Sequence, residues 1–380
     1  MEILTILQFC LVAWIVSWLL LNMIHLEKAE LVRGPLTHSP FISICVPARN
    51  EERDLGACLD SLMAQDYPNF EVIAADDQSE DQTLEIIKLF ENRFDNFIGF
   101  QGKPLPEDWL GKPYILSQAV SKAKGEYLLF TDADPVFEPF ALKSAIFLMQ
   151  KQKLDMLTLM PGALFGSFWE RAVQPVIFGL IAGLTRFGDV NNPNSPKAMG
   201  IGAFILVKRS AYEKIGGHES VKKNVVEDIA LGKIIKRNGH KIWIADGKSL
   251  FSIRMYHSLY EIWTGWKKNV FTAFKRSITR TIWFAFSLIG FQLTPILLLY
   301  WNWTAGTYIW SFTLSLLTIC LTLATGIGLC KELKLNPLIA LLFPLGSIVA
   351  IGIMFTSMQQ ALIKNKTEWR GRVYTASETN

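Results

Sequence analysis

The sequence lacks the cysteine patterns of a disulfide framework or of a zinc site. Its five cysteines, Cys10, Cys45, Cys58, Cys320 and Cys330, form no CxxC pair. Three of them, Cys10, Cys320 and Cys330, lie within long apolar stretches. Small disulfide-bonded domains and structural zinc sites both depend on characteristic cysteine spacings. The cysteines therefore argue against both, and they are compatible with a reducing cytosol.

Two glycine motifs of nucleotide-binding enzymes are also absent. No GxGxxG follows a predicted strand, and no GxxxxGK[ST] occurs anywhere in the chain. These segments cradle the phosphates of dinucleotides and of nucleoside triphosphates. Their absence disfavours a dinucleotide-dependent enzyme and a P-loop NTPase.

A large excess of one charge is missing as well. Lys and Arg together number 38 against 34 Asp and Glu, which gives a net charge of +4. The basic residues concentrate beside apolar stretches, at Lys28 and Arg33 and again between Lys267 and Arg280. This distribution fits an anionic membrane surface better than a nucleic-acid groove. We therefore expect a membrane partner and no nucleic acid.

Charges are scarce over several long apolar stretches. Residues 3–24 contain none, and three further apolar stretches lie near 282–303, 306–330 and 337–360. About 20 residues cross the roughly 30 Å hydrocarbon core. We predict a transmembrane anchor over 1–26 and transmembrane segments within 281–362. No Lys or Arg precedes Lys28 and no small-residue cleavage pattern follows, so the first segment is predicted to be retained rather than cleaved.

The basic residues at both ends of the middle region predict that it lies on the cytoplasmic side of an integral membrane protein, at the cell membrane in a bacterium. For the basic tail, 363–380, the number of predicted spans and the positive charge indicate opposite sides of the membrane. Three spans after a cytoplasmic domain would place it outside, whereas its positive charges favour the inside. Pro344 and Gly346 interrupt the last apolar stretch and indicate a re-entrant or interfacial segment, so we predict a cytoplasmic tail.

Strand-like and helix-like patterns alternate between residues 41 and 255. Apolar, β-rich runs predict strands at 41–46, 70–75, 97–101 and 127–131. Such alternation implies βαβ units and an α/β fold with a mostly parallel sheet. Ligands of such sheets bind beyond the carboxyl ends of the strands. We assign the catalytic domain to 38–280. Within it, 165–187 is predicted to be an interfacial helix where a lipid acceptor enters, or a helix packed on the sheet.

Acidic residues follow three of these strands. Glu51 and Glu52 follow the first, the pair Asp76-Asp77 follows the second, and Asp132-Ala133-Asp134 follows the fourth. Adjacent carboxylates are costly to desolvate unless a cation or hydrogen-bond donors accept them. A lone DxD is more often a solvated turn. Three clusters at the ends of one sheet instead favour a hard divalent cation, Mg²⁺ or Mn²⁺, with substrate phosphates.

Taken in order along the chain, these motifs resemble a family 2 glycosyltransferase with the GT-A fold. The resemblance is closest to the membrane enzymes grouped with ceramide glucosyltransferase and the hopanoid- and carotenoid-associated glycosyltransferases. It covers essentially the whole chain and rests on Pro47 to Glu52, Asp76-Asp77, Gly111-Lys112, Asp132-Ala133-Asp134, Gly200 to Lys208, Glu227-Asp228 and Trp369-Arg370-Gly371-Arg372. It implies a Rossmann-like cytoplasmic domain between an N-terminal and several C-terminal transmembrane helices.

The resemblance also implies a binding site for a nucleotide-sugar. Asp77 would accept from a base N–H, and Glu51 or Asp76 from ribose hydroxyls. Asp132 and Asp134 would hold the Mg²⁺ or Mn²⁺ that bridges the diphosphate. The full nucleotide-sugar-binding set is Pro47, Ala48, Arg49, Asn50, Glu51, Asp76, Asp77, Lys112, Asp132 and Glu227. For Lys112, a solvated lysine near a turn is the alternative.

The catalytic residue that the resemblance implies is Asp228. As general base it would take the proton of the acceptor hydroxyl during a single displacement that inverts the anomeric configuration. The spacing alone could equally make Glu227-Asp228 the acidic first turn of a helix that runs to Arg237.

The sequence departs from the family pattern in one respect, because no QxxRW motif follows the base. Processive polysaccharide synthases use that motif to hold a growing chain, so its absence counts against them. Diphosphate or acceptor contacts are instead predicted for Gly202, Arg254, His257, Trp263, Trp266 and Lys267. A purely structural histidine is the alternative for His257.

We therefore predict transfer of a single sugar from a nucleotide-sugar, a UDP-hexose, to a hydroxylated lipid at the membrane. The alternatives are a processive polysaccharide synthase and a non-catalytic membrane scaffold with the same fold. A nucleotidyltransferase would carry a Gly-rich basic first loop, which this chain lacks. The identity of the sugar, the lipid and the oligomeric state stay open.

Overall fold

A computed structural model describes residues 2–23, 26–184, 186–274, 276–363, 366–369 and 372–375. The strands are β1 Ile42–Ala48, β2 Phe70–Asp76, β3 Phe97–Gln101, β4 Tyr127–Phe130, β5 Val136–Phe137, β6 Met156–Met160, β7 Gly162–Ala163, β8 Ile205–Lys208, β9 Ile242–Asp246, β10 Phe251–Ile253, β11 Lys366–Trp369 and β12 Arg372–Thr375.

The helices are α1 Glu2–Met23, α2 Leu55–Met63, α3 Thr83–Arg93, α4 Gly111–Lys122, α5 Ala141–Lys151, α6 Phe168–Leu184, α7 Phe187–Asn191, α8 Arg209–Lys214, α9 Glu227–Arg237, α10 Leu259–Ala273, α11 Ile278–Leu288, α12 Thr294–Thr304, α13 Ile309–Glu332 and α14 Phe343–Ile363. Short 3₁₀ helices occupy Gly217–Val221 and Pro337–Leu342, and a π-helical turn, Ile289–Leu293, joins α11 to α12.

The main sheet has seven strands in the order β3-β2-β1-β4-β8-β6-β9. Strand β8 runs antiparallel to both of its neighbours, and the other pairings are parallel. The predicted mostly parallel α/β sheet is therefore confirmed, together with the four strands predicted before residue 131. A second sheet has the order β5-β10-β7, and β11 pairs with β12.

Apolar side chains cover both faces of the main sheet. On one face, Ile44 of β1 packs in a buried cluster with Leu59 of α2. On the other face, Cys45 lies in a second cluster with Ile115 of α4. Successive residues of a strand point to opposite faces, so β1 is apolar at nearly every position because helices cover both sides.

The chain divides into two compact units. The helical unit comprises Met1–His25, Phe165–Arg186 and Tyr256–Glu368; the sheet unit comprises Leu26–Leu164, Phe187–Met255 and Trp369–Asn380. The predicted domain bounds of 38–280 stay a prediction. Within the helical unit, α6 and α10 pack chiefly against α14.

Four helical segments of the helical unit are long and apolar enough to cross a membrane: Glu2–Leu21, Ile278–Thr304, Ile309–Glu332 and Pro337–Leu362. They coincide with the four apolar stretches of the sequence and fit membrane anchoring. Asn302 of α12 cross-links three of them, since its side-chain amide donates to Thr5 Oγ1 at 3.3 Å and to Ser315 Oγ at 2.8 Å. Within the motif 369–372, Arg370 and Gly371 lie outside the described residues, as do 364, 365 and 376–380 of the predicted tail.

Candidate active site

The carboxyl ends of three adjacent strands meet at one edge of the main sheet. Strands β2, β1 and β4 are parallel neighbours in that order. The pairing of β1 with β2 continues to Ala48, whereas the pairing of β1 with β4 covers only Ile42–Cys45. Pro47 has no N–H to extend a ladder. A gap therefore begins between β1 and β4 where the strand order changes direction, which is the position of ligand sites in such sheets.

Arg49 ties the loops after β1 and β2 together. One guanidinium nitrogen donates to the backbone carbonyls of Asp77 and Gln78, at 2.5 and 2.8 Å. The backbone N–H of Asp77 donates to the carbonyl of Ala48 at 2.7 Å. These contacts fix the backbone at Asp77 relative to the end of β1. Arg49, predicted to bind the nucleotide, thus also organises the loop that carries other predicted nucleotide contacts.

Asn50 forms the turn after β1 with a left-handed backbone, φ 53°. Asparagine adopts this region more readily than most side chains. Its N–H donates to Ser79 Oγ at 3.0 Å, and its side-chain oxygen accepts the N–H of Glu80 at 2.9 Å. The neighbouring Glu51 N–H donates to Thr83 Oγ1 at 2.8 Å.

The Asp76-Asp77 pair is buried, with side chains that are 0 % and 1 % exposed. The carboxylate of Asp76 accepts the N–H of Ser79 at 3.2 Å. Burial of adjacent carboxylates at a strand end is costly without donors. Asp76 is the last residue of β2 and Asp77 follows it, so the pair lies at the carboxyl end of the strand, and its nucleotide-binding role stays a prediction.

Lys112 lies at the centre of an acidic cluster. It stands in the first turn of α4, and its ammonium is 2.6 Å from Asp132 Oδ1 and 2.8 Å from Glu227 Oε1. Burial by itself lowers the pKa of Lys112, but the carboxylates around it outweigh burial and hold the pKa well above its usual value. Lys112 is therefore a fixed positive charge, and the alternative of a solvated lysine near a turn does not describe it.

Asp228 adjoins the same cluster from the first turn of α9. Its Oδ2 accepts the backbone N–H of Gly202 at 2.9 Å, and its Oδ1 accepts the N–H of Ile229 at 2.7 Å. Burial, followed by the charge of Glu227, raises the pKa of Asp228 to about 7 against the opposing charge of Lys112. A carboxyl group with a pKa near neutrality can exchange a proton under ordinary conditions.

Gly202 has no room for a side chain. A Cβ there would lie 2.8 Å from Lys112 Nζ, 3.2 Å from Asp132 Oδ2 and 3.5 Å from Asp228 Oδ2. Glycine thus lets the backbone approach three charged groups at once. The diphosphate or acceptor contact of Gly202 stays a prediction.

Asp132 and Asp134 follow β4 and offer two carboxylates to a cation. Among the described residues, no group of three or more His, Cys, Asp or Glu could hold a metal by itself. Mg²⁺ usually binds one or two carboxylates plus substrate phosphates. Asp132 already accepts a cationic ammonium. Asp132 and Asp134 would therefore fit a metal only if other ligands, such as substrate phosphates, completed its coordination.

Sequence reasoning missed His218, which lines a small cavity together with Lys112, Glu227 and Asp228. Its Nδ1 lies 2.8 Å from the hydroxyl of Tyr212, and burial followed by the charge of Lys112 lowers the pKa of His218 to about 3. The histidine is therefore neutral. The signal that could have found it is Gly216-Gly217, where both glycines have positive φ and turn the chain back onto the Tyr212 ring.

The predicted residues beyond β10 fall into both units. Arg254 directly follows β10 in the sheet unit, while the others belong to the helical unit. Trp266 packs against Tyr256 and Phe178, and the N–H of His257 donates to Glu261 at 2.9 Å. These contacts account for Trp266 and the backbone of His257 as parts of the helix packing. The diphosphate or acceptor roles of Arg254, His257, Trp263, Trp266 and Lys267 stay predictions.

Residues 43–216 match the sequence model of glycosyl transferase family 2. This range includes β1, β2, β4 and the acidic groups that follow them. The resemblance to family 2 glycosyltransferases predicted from the motifs is confirmed.

Known glycosyltransferases resemble the chain over nearly its whole length. It is 25% identical over 370 residues to a 4,4'-diaponeurosporenoate glycosyltransferase of Staphylococcus aureus strain USA300, covering 95% of this chain and 94% of the relative. The protein of the same name from strain N315 is 25% identical over 347 residues, covering 89% of each chain. The protein is therefore a glycosyltransferase, and the alternative of a non-catalytic scaffold is set aside.

A solved structure supports the fold. The mannosyltransferase PcManGT from Pyrobaculum calidifontis, in complex with GDP-Man and Mn²⁺, superposes with a TM-score of 0.55 at 17% identity, covering 95% of this chain and 99% of that one. The predicted GT-A fold of the glycosyltransferase is thus confirmed.

Proposed function

We propose that this glycosyltransferase moves a single sugar from a nucleotide-sugar, a UDP-hexose, to a hydroxylated lipid at the membrane surface. The observation that carries the proposal is the cluster at the sheet edge. A buried carboxyl of raised pKa, Asp228, lies beside a fixed ammonium, Lys112, and a carboxylate suited to a cation, Asp132. Such a cluster provides a base and charge compensation within one site.

The donor nucleotide is assigned to the loops after β1 and β2. Arg49 holds the backbone at Asp77 and Gln78, so the loop is formed before a ligand arrives. Pre-formed loops lose little conformational entropy on binding. In this assignment Asp77 accepts from a base N–H, and Glu51 or Asp76 accepts from the ribose hydroxyls.

The diphosphate is assigned to Asp132, Asp134 and Lys112. A divalent cation, Mg²⁺ or Mn²⁺, would be held by the two aspartates and would stabilise negative charge on the departing nucleotide. Lys112 contributes a positive charge from the protein itself. Because its ammonium is ion-paired with Asp132 and Glu227, it is held in place for a diphosphate oxygen.

Asp228 is assigned as the general base. Its carboxyl removes the proton from the acceptor hydroxyl as the oxygen attacks the anomeric carbon, and the bond to the nucleotide diphosphate breaks on the opposite face. A single displacement of this kind inverts the anomeric configuration. The N–H of Gly202 and of Ile229 orient the two carboxylate oxygens.

The acceptor is assigned as a lipid because the described residues include four candidate membrane spans and the chain resembles an enzyme named for 4,4'-diaponeurosporenoate. The ending of that name denotes a carboxylate, which makes a carboxylated lipid a second acceptor class. A hydroxyl must lose a proton to react, whereas a carboxylate is ionised near neutral pH. Transfer to a hydroxylated lipid should therefore require Asp228, whereas transfer to a carboxylated lipid should not. We further propose that the sheet unit lies on the cytoplasmic side.

The test uses the full-length protein purified in detergent. UDP release from UDP-hexoses is measured with and without a lipid extract, then in EDTA, and then after addition of Mg²⁺ or Mn²⁺. We expect lipid-dependent release that stops in EDTA, with a product that carries one sugar. Release without lipid dependence, a polymeric product or full activity in EDTA would each contradict the corresponding part of the proposal.

A further inference from the structure

The last apolar segment of the chain, Pro337–Leu362, meets the length and hydropathy of a membrane span. Its helix α14 packs chiefly against α6, α10 and α11 within the helical unit. Helices α6 and α10 are not among the described segments that qualify as spans. The membrane depth of the residues that α14 contacts in α6 and α10 therefore indicates whether α14 crosses the bilayer.

The first partner meets α14 near its start. Gly346 touches the backbone carbonyl of Ala172 so closely that a side chain there could not fit. Ala172 follows Arg171, whose side chain is exposed. The side chain of Glu170 accepts the N–H groups of Gly166 and Ser167 at 2.8 Å each and so caps the start of α6. This part of α14 thus lies at the depth of a charged helix start.

The second partner meets α14 closer to its end. Gly352 lies against the Trp263 ring. The hydroxyl of Ser357 donates to the carbonyl of Lys267 at 2.5 Å and accepts the N–H of Phe271 at 3.1 Å. Helix α14 therefore runs alongside α10 and reaches the depth of Lys267 and its neighbour Lys268.

Both contacts place α14 beside charged residues. Gly346 and Ser357 are separated by about 16 Å along a helix, at 1.5 Å per residue. The hydrocarbon core is about 30 Å thick, and a charged side chain near its centre is costly unless it reaches headgroups or water. If α14 were perpendicular to the membrane plane, either Arg171 or Lys267 would lie deep in the hydrocarbon core. If α14 lies in the membrane plane, both residues stay at the level of the lipid headgroups.

We propose that α14 lies in the plane of the membrane at one interface and does not cross it. Its exposed apolar residues Leu345, Ile348, Phe355 and Leu362 would face the acyl chains in this position. The spans are then α1, the α11–α12 segment and α13.

This arrangement determines the side of the tail. The chain leaves α10, crosses once through α11–α12, returns through α13 and stays at that interface along α14. Residues 363–380 therefore emerge on the side of the membrane where α10 lies. The positive residues Lys364, Lys366, Arg370 and Arg372 then satisfy the positive-inside preference if that side is cytoplasmic.

The first test locates single cysteines in membrane vesicles of opposite orientation. All five native cysteines are replaced by alanine, and one cysteine is introduced as Glu378→Cys in the tail. The matched controls are Lys88→Cys on the exposed face of α3 and Tyr308→Cys, which is exposed between α12 and α13. A membrane-impermeant maleimide should label Glu378→Cys from the same side as Lys88→Cys. Labelling from the side of Tyr308→Cys would overturn the proposal.

A second test measures depth directly. Spin labels at Leu345→Cys and Leu362→Cys in reconstituted protein should report depths that agree within a few ångströms. A crossing helix would separate them by about 25 Å, since 17 residues at 1.5 Å each intervene. If the cysteine-free protein fails to reach the membrane, an epitope after Asn380 in the native sequence gives the same readout through protease access in the same vesicles.

Discussion

Asp132 Oδ1 and the ammonium of Lys112 lie 2.6 Å apart, although the family resemblance assigns Asp132 to a metal. An ammonium and a divalent cation cannot both occupy the same face of one carboxylate oxygen. If Asp132 holds a cation as proposed, Lys112 would compete with that cation until a diphosphate binds between them.

Removal of that ammonium should strengthen metal binding in the absence of donor. We expect Lys112→Met to bind Mn²⁺ about tenfold more tightly than the native protein, because a charged hydrogen bond contributes about 1.5–3 kcal/mol. Electron paramagnetic resonance of free Mn²⁺ measures this without any turnover. Lys112→Arg, which keeps the charge, is the control. Equal or weaker Mn²⁺ binding by Lys112→Met would exclude the competition.

The pH profile should report Asp228. Its pKa is raised to about 7, and only the ionised form can accept a proton. With a hydroxylated acceptor, kcat should therefore fall about tenfold per pH unit below pH 7 and level off above it. Lys112 lowers the pKa of Asp228, so the midpoint in Lys112→Met should move to higher pH. A rate that stays constant from pH 5 to 8 argues against Asp228 as the base.

Asp228→Asn should separate chemistry from donor binding. Asparagine keeps the size and one acceptor oxygen but cannot take a proton, so turnover should fall by about 10²–10⁴-fold. UDP-sugar affinity, measured by calorimetry, should change little. Asp132→Asn should instead weaken metal-dependent donor binding as well as turnover. Near-native turnover of Asp228→Asn would leave Glu227-Asp228 as a helix start without a catalytic role, or indicate a carboxylated acceptor.

Gly202→Ala should impair activity through crowding of the charged cluster. The added methyl group would lie 2.8 Å from Lys112 Nζ and 3.2 Å from Asp132 Oδ2. We expect at least a tenfold loss of kcat/KM with a small change in thermal unfolding. Gly56→Ala is the control, since a Cβ at Gly56 meets nothing within 4 Å. The same loss in both variants would point to general destabilisation.

The local pattern of the sequence predicted much of the sheet. The strand at Phe97–Gln101 was predicted with its observed bounds, and the helix predicted to run to Arg237 ends there in α9. Strand β1 extends two residues beyond its predicted end, because Pro47 and Ala48 continue the pairing with β2 after the apolar alternation has stopped. The periodicity of apolar residues in the sequence indicates which side chains are buried. It does not show at which residue the hydrogen-bonded pairing of two strands ends.

The site was predicted in part because motif residues follow strands in chain order. Glu227-Asp228 forms the first turn of α9 and also contacts Lys112 and Gly202, while its role as the base stays a prediction. The partners of Lys112 were not predictable, since ion pairs between distant segments leave no periodic signal. His218 was missed for the same reason: its position depends on a two-glycine turn and on contact with Tyr212.

The central claim, sugar transfer to a lipid, is tested most directly by the lipids of cells. Lipid extracts from cells that express the native protein, from cells that express Asp228→Asn and from cells without the protein are compared by mass spectrometry. The account predicts a lipid that is heavier by one hexose only in cells with the native protein. Identical lipid profiles in all three, with the native protein present in the membrane fraction, would contradict it.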